Sequence, residues 1–148
     1  MKLRVTFLSL FLLLAGCGQA ELTLATGASA NLKDYQGQWL WVNYYADWCK
    51  PCIKELPELD KFDQSSDQHT VLAISFDDLP LAQLQTSWQK WQVSFDFARV
   101  EREDFRLARP KVLPTTYLLN PQGELVATLI GEQSQASLLQ AWQQAQSN

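Results

Sequence analysis

Trp39-Leu40-Trp41-Val42-Asn43-Tyr44-Tyr45, separated only by Ala46-Asp47 from Trp48-Cys49-Lys50-Pro51-Cys52, is the stretch from which the rest of the chain can be read. Its first seven residues form an uninterrupted apolar and aromatic run of strand length, the pattern of a strand covered on both faces. Beyond the cysteines, Ile53, Leu56, Leu59 and Phe62 recur every third residue, a one-sided stripe that predicts a helix over residues 50–64. The two cysteines therefore fall where a buried strand gives way to the start of a helix.

Downstream, Val71-Leu72-Ala73-Ile74-Ser75-Phe76 predicts a second buried strand, and Leu81 to Trp91 a second helix with Leu81, Leu84, Trp88 and Trp91 on one side. Strand, helix, strand, helix implies parallel pairing through a crossover. Thr115 to Leu119 and Glu124 to Ile130 flank Asn120-Pro121-Gln122-Gly123, whose proline and glycine suit a tight turn, and so form a hairpin. Ser134 is placed to cap a last helix that carries Leu138, Leu139, Trp142 and Ala145 inward. The predicted order is βαβαββα, an α/β fold with a central mixed sheet flanked by helices and closed by a C-terminal hairpin and helix. Upstream, Leu22 to Ala25 is a short apolar stretch in small, polar surroundings and reads as linker or a first edge strand.

With 148 residues, 47% of them hydrophobic and 19% charged, the chain has the composition of one globular domain. Its beginning stands apart: Lys2 and Arg4 precede an uncharged apolar run from Val5 to Ala15, the layout of a secretory signal. The run is shorter than the ~20 apolar residues that span a bilayer comfortably. It ends in Leu14-Ala15-Gly16-Cys17, which resembles the lipobox of bacterial lipoproteins, in which the cysteine is lipidated and becomes the new N-terminus. That resemblance implies a signal peptide over residues 1–16, a tether over 17–30 and a domain over 31–148, held at the membrane by acyl chains rather than spanning it. Loss of Lys2 and Arg4 leaves a domain more acidic than the −4 of the whole chain. No basic run or basic-aromatic interleaving supports nucleic-acid binding. With one cysteine in the lipobox and two spaced C-x-x-C, none remains for a structural framework, which excludes a disulfide-stapled mini-protein.

A C-x-x-C at a helix start has a physical purpose. The unpaired amides and partial positive charge there favour a thiolate on Cys49, and Lys50 adds a cation. Pro51 fits the first turn, where its missing N–H costs nothing. Cys49 is expected to be the exposed nucleophile, and Cys52, one turn inward, the thiol that resolves the mixed disulfide. Zinc would need two more ligands, and only His69 and Cys17 remain, so no metal is expected. An inert disulfide closing so small a loop would stabilise little. The Cys49–Cys52 pair is then its own redox group, with no further cofactor.

Trp48-Cys49-Lys50-Pro51-Cys52 resembles the thioredoxin active site W-C-x-P-C, and the chain from about Gly27 onward is similar to that fold in element order. Val112-Leu113-Pro114-Thr115-Thr116 resembles the segment in which thioredoxins hold a cis-proline facing the cysteines. Within the superfamily, Cys49-x-x-Cys52-x-x-Glu55-x-Pro57, with Asn43 six residues before Cys49, resembles the TlpA/ResA group of bacterial extracytoplasmic thiol-disulfide oxidoreductases. Cytoplasmic thioredoxins carry a buried aspartate where Asn43 stands. A carboxylate can relay the proton of Cys52 and an asparagine cannot, so Glu55 is the candidate, its alternative being a solvated residue near a helix N-terminus.

The resemblance further implies a substrate groove walled by Trp48, Lys50, Pro51 and Leu113. It implies a monomer that reduces disulfides of exported proteins, apocytochrome c among them, with electrons from a membrane thiol reductase, on the periplasmic side of a bacterial envelope. Gly18 after the lipidated position hints at the outer membrane. Lys50-Pro51 lacks the histidine of strongly oxidising relatives, which favours the reducing end of a range from about −270 to about −120 mV. A disulfide oxidase or isomerase, and a non-catalytic binding lipoprotein, are the alternatives. Elsewhere, His69 follows Ser65-Ser66-Asp67-Gln68 and reads as exposed, Asp77-Asp78 as a solvated strand end, and Trp39, Trp41, Trp88, Trp91 and Trp142 as packing residues.

If Cys17 carries the lipid, palmitate labels the wild type and not Cys17→Ser, while disulfide exchange by the purified domain is the same in both. Label that persists in Cys17→Ser removes the lipoprotein assignment.

Overall fold

The computed structural model describes residues 20–147. The signal peptide expected over residues 1–16 and the expected lipid site Cys17 lie outside the described residues. The strands are β1 (Leu22–Leu24), β2 (Ser29–Ala30), β3 (Trp39–Tyr45), β4 (His69–Ser75), β5 (Asp96–Val100), β6 (Thr115–Leu119) and β7 (Leu125–Ile130); the helices are α1 (Lys50–Asp63), α2 (Leu81–Trp91) and α3 (Gln135–Gln146). All seven strands join one sheet in the order β2-β1-β5-β4-β3-β6-β7. The pairs β3–β4 and β4–β5 are parallel, as strands joined through helices must be, and the rest are antiparallel.

β3 lies inside the sheet, between β4 and β6, and its two faces serve different cores. Trp41 and Tyr45 join a cluster with Leu56, Leu59 and Phe62 of α1, Leu84 of α2 and Leu138 of α3. Leu40, Val42 and Tyr44 point the other way, into a cluster with Leu72, Ile74, Tyr117 and Leu119. All three helices thus share one face of the sheet. The second face is closed by Leu32 and Tyr35 of a short 3-10 turn and by Phe105 and Leu107 of the β5–β6 connection. β3 meets the requirement for a strand hydrophobic at every position: both sides are covered.

Three expectations need correction. Within the segment read as a tether, Leu22–Leu24 takes the strand alternative but not an edge position: it pairs with β5 on one side and β2 on the other, with Leu22 wholly buried. β5 itself was not anticipated, since Asp96 and Arg99 interrupt its apolar pattern, although Phe97 and Ala98 are buried. His69 is only 3% exposed: β4 begins two residues earlier than its apolar run, and the histidine takes the same face as Val71 and Ala73. Its ring stacks on Phe62 at 4.0 Å, meets the edge of Trp142 at 4.6 Å, and donates from Nε2 to the Phe62 carbonyl at 2.7 Å.

Phe62 is the hub of that packing, with Trp41 edge-on at 4.9 Å and His69 stacked upon it. Phe62→Ala is expected to cost about 3–5 kcal/mol, whereas Ile130→Ala, at a side chain 68% exposed, changes stability by less than about 0.5 kcal/mol. Urea midpoints of the two variants check the contrast.

Candidate functional site

Cys49 occupies the N-cap of α1, with Lys50 and Pro51 opening the first turn. The cysteines form a disulfide, Cα to Cα 5.3 Å, and the Cys52 N–H donates to Cys49 Sγ at 3.3 Å. The first sulfur thus sits on the positive end of the helix, where an unpaired amide and the helix dipole stabilise negative charge. The expectation of an exposed Cys49 is corrected in degree: it is 5% exposed and Cys52 is fully buried. An N-cap side chain folded back over the first turn and bonded to Cys52 presents only an edge of its sulfur to solvent. The ranking of the two is as expected.

Trp48, Lys50 and Pro51 are exposed around that edge, Trp48 at 65%. The Leu113–Pro114 bond is cis, and Pro114 is buried. Leu113 packs against the cluster that contains both cysteines. The Pro114 carbonyl accepts from the Gly131 N–H at 2.9 Å, which fastens the end of β7 to this loop.

Beneath the disulfide lies a polar cluster in an otherwise apolar face. Glu55, one turn beyond Cys52, is fully buried. Its Oε1 accepts from Asn43 Nδ2 at 2.7 Å and its Oε2 from the Gln133 backbone N–H at 2.8 Å; Asn43 Nδ2 also donates to Thr116 Oγ1 at 3.0 Å. Asn43 and Thr116 are register partners across β3 and β6. Removal from water pushes the Glu55 carboxyl up to about 7, against the opposing pull of the two N–H donors. The solvated-helix alternative for Glu55 is thereby removed. Glu55 is positioned to exchange a proton near neutral pH, as a relay requires.

The rim contains groups that sequence reasoning missed. Trp48 Nε1 donates to Asp77 Oδ2 at 2.8 Å, and the Trp48 ring stands edge-on to Phe76 at 6.3 Å. The Arg109 guanidinium lies 3.9 Å over the Phe76 ring. Tyr44, Phe76, Asp77, Phe105 and Arg109 help line a cavity of about 690 Å³ adjoining Trp48. Asp47 Oδ1 accepts from Ser87 Oγ and Trp91 Nε1, both at 2.8 Å, tying the loop before Cys49 to α2. Asp77 lies two residues beyond β4, and its sequence signal was that of a solvated strand-end carboxylate. The Gln133 contribution is a backbone N–H and leaves no mark in the sequence.

The AhpC/TSA family model matches residues 17–128. Thiol-disulfide oxidoreductase ResA of Bacillus cereus is 28% identical over 116 residues, which cover 76% of this chain and 66% of that protein, just under two thirds of its length. Sporulation thiol-disulfide oxidoreductase A of Bacillus subtilis is 28% identical over 118 residues, 72% of this chain and 67% of that one. Among solved structures, the thiol:disulfide interchange protein DsbE from Chlorobium tepidum superposes with a TM-score of 0.73 at 22% identity, over 84% of this chain and 91% of that one. The exposed lipoprotein thioredoxin Etrx1 from Streptococcus pneumoniae superposes at 0.71 and 20% identity, over 84% and 97%. The fold is thioredoxin-like.

A carboxyl whose pKa rises on folding binds its proton more tightly in the folded state. Its contribution to stability is present in full below the ordinary value of 4.5 and is lost as the pH climbs through about 7. The loss amounts to roughly 3 kcal/mol. In the oxidised protein, Glu55→Gln is expected to flatten that part of the stability-pH curve. Chemical denaturation at intervals from about pH 4 to about pH 8 checks it, and an unflattened curve would show that Glu55 does not titrate there.

Proposed function

The chain belongs to the AhpC/TSA family, and from that membership and the geometry of the cysteine pair we propose that it is a thiol-disulfide oxidoreductase working through a Cys49/Cys52 dithiol-disulfide cycle. The observation that carries the proposal is the Cys49–Cys52 disulfide at the α1 N-cap with Glu55 buried one turn beneath it. In the reducing direction, the Cys49 thiolate attacks a client disulfide, forms a mixed disulfide and expels one client thiolate. Glu55 takes the proton of Cys52. The Cys52 thiolate then attacks Cys49 Sγ, closing the Cys49–Cys52 bond and expelling the second client thiolate. Two electrons pass from the protein dithiol to the client, and an external dithiol returns them.

The clients proposed are disulfides of exported proteins, including those of cytochrome c maturation, with a membrane thiol reductase as electron donor. The protein is proposed to be a monomer, lipid-anchored through Cys17 on the outer side of the bacterial inner membrane or at the outer membrane. The signal-like leader and lipobox support this location. Among the described residues no helix is long and apolar enough to cross a membrane. The lack of a histidine between the cysteines supports reduction over oxidation, with the Lys50 cation pulling modestly the other way.

Cys52→Ser is expected to accumulate a mixed disulfide between Cys49 and client protein, visible as a thiol-sensitive adduct on a non-reducing gel, because the resolving thiol is gone. Cys49→Ser accumulates none. Adducts in Cys49→Ser and not in Cys52→Ser would reverse the roles. The equilibrium potential of the pair against glutathione decides direction: a value toward about −270 mV supports the reductase, and one toward about −120 mV makes the protein an oxidant.

A further inference from the structure

Asn43 is wholly buried, and one end of its amide makes all its side-chain bonds: Nδ2 donates to Glu55 and to Thr116, while Oδ1 has no partner. A buried carbonyl left unpaired in the middle of a sheet is unusual enough to require a reason. Glu55 presents a second oddity. Both its oxygens accept from N–H donors, an arrangement suited to a carboxylate that offers a carboxyl proton no acceptor. Yet burial brings both protonation states of this group within reach near neutrality.

The two ends of an amide are nearly equal in size, so turning the Asn43 side chain over exchanges Nδ2 for Oδ1 without displacing a neighbour. Turned over, Oδ1 faces the two groups that Nδ2 faces now. It accepts from a protonated Glu55 and from the Thr116 hydroxyl, whose O–H rotates from accepting to donating. The end turned away is unpaired in either orientation, and the orphaned Oδ1 is explained as the acceptor held for the other state.

We propose that Asn43 is a two-way positioning residue for Glu55, donating to the carboxylate and, turned over, accepting from the carboxylic acid, with Thr116 following its turn. The inference rests on the redox reading of Cys49 and Cys52, since it is the Cys52 proton that makes Glu55 change state. When the Cys52 thiol gives its proton to the Glu55 carboxylate, the Asn43 amide turns and keeps the new O–H bonded. When the proton leaves, the amide turns back to the orientation seen in this oxidised structure. The other groups that face Glu55 do not offer the acceptor. Gln133 contributes an N–H from the turn before α3. Glu132 on that turn adds a repulsive charge, but its carboxylate is paired with Lys54 Nζ at 2.6 Å. On α1 itself, Cys52 is in the disulfide, and the Glu58 carboxylate bonds Lys61 and the Gln135 N–H.

The test is made on the oxidised protein. In wild type uniformly labelled with ¹⁵N and ¹³C, the Asn43 side-chain amide resonances are expected to shift with the same pH midpoint as the Glu55 carboxyl carbon. Amide resonances that do not move while Glu55 titrates overturn the proposal. Asn43→Leu removes donor and acceptor together. A two-way partner stabilises both forms, so the variant loses a similar amount of denaturation midpoint at about pH 5 and about pH 9 and leaves the Glu55 midpoint in place. A fixed donor stabilises the carboxylate alone, so a Glu55 midpoint that moves upward in Asn43→Leu also overturns the proposal. The resonance measurement stands if Asn43→Leu fails to fold. Neither readout uses a client, so failure of the trapping experiment with success here would remove the redox reading while leaving the amide's behaviour intact.

Discussion

The burial of β3 on both faces is the constraint on which the rest of the molecule depends. A strand with Trp41 and Tyr45 on one side and Leu40, Val42 and Tyr44 on the other requires cover above and below. The chain provides it unevenly, with three helices on one face and loops with a 3-10 turn on the other. The helical face holds the cysteine pair, because α1 must start at the end of β3 to cover it. The cysteines sit at that start, and the positive helix end is fixed at the place where a thiolate is wanted.

The same constraint places a carboxylate in a position where it is expensive. Any polar residue on the helix-facing side of β3 is sealed from water, so Asn43 and Glu55 must satisfy each other, with help from Thr116 and a loop N–H. Fully paired, the cluster is tolerable; incompletely paired, as at Asn43 Oδ1, it carries a cost that an apolar pair at the same positions would not. The cluster places a buried carboxyl, pushed up toward neutrality by loss of water, under a disulfide, at some expense in stability.

Much of this was legible because it depends on local pattern. Trp39–Tyr45, Leu81–Trp91 and Thr115–Leu119 are the elements their apolar periodicity indicates, and the Cys49-x-x-Cys52 spacing at a strand-helix junction specified a helix N-cap. What escaped depends on contacts distant in sequence. β5 has a mixed pattern, and its place in the sheet comes from pairing with β4 and β1. His69 follows a polar segment, and only the position of Phe62 and Trp142 turns it inward. The burial of Glu55 is set by the β7–α3 turn, 78 residues away in the chain, and the Trp48–Asp77 bond joins the two loops that follow β3 and β4. Spacing identified Glu55 as a candidate; only the assembled sheet decides that it is sealed.

Cys49 and Cys52 are the sole cysteines among the described residues, and the loop they close is too short to restrict the unfolded chain greatly. The cohesion of the domain resides in its two apolar clusters instead. Opening and closing that bond therefore asks nothing of the architecture. A folding domain also has no second thiol pair among these residues with which to scramble, so it can acquire its shape without oxidative proofreading.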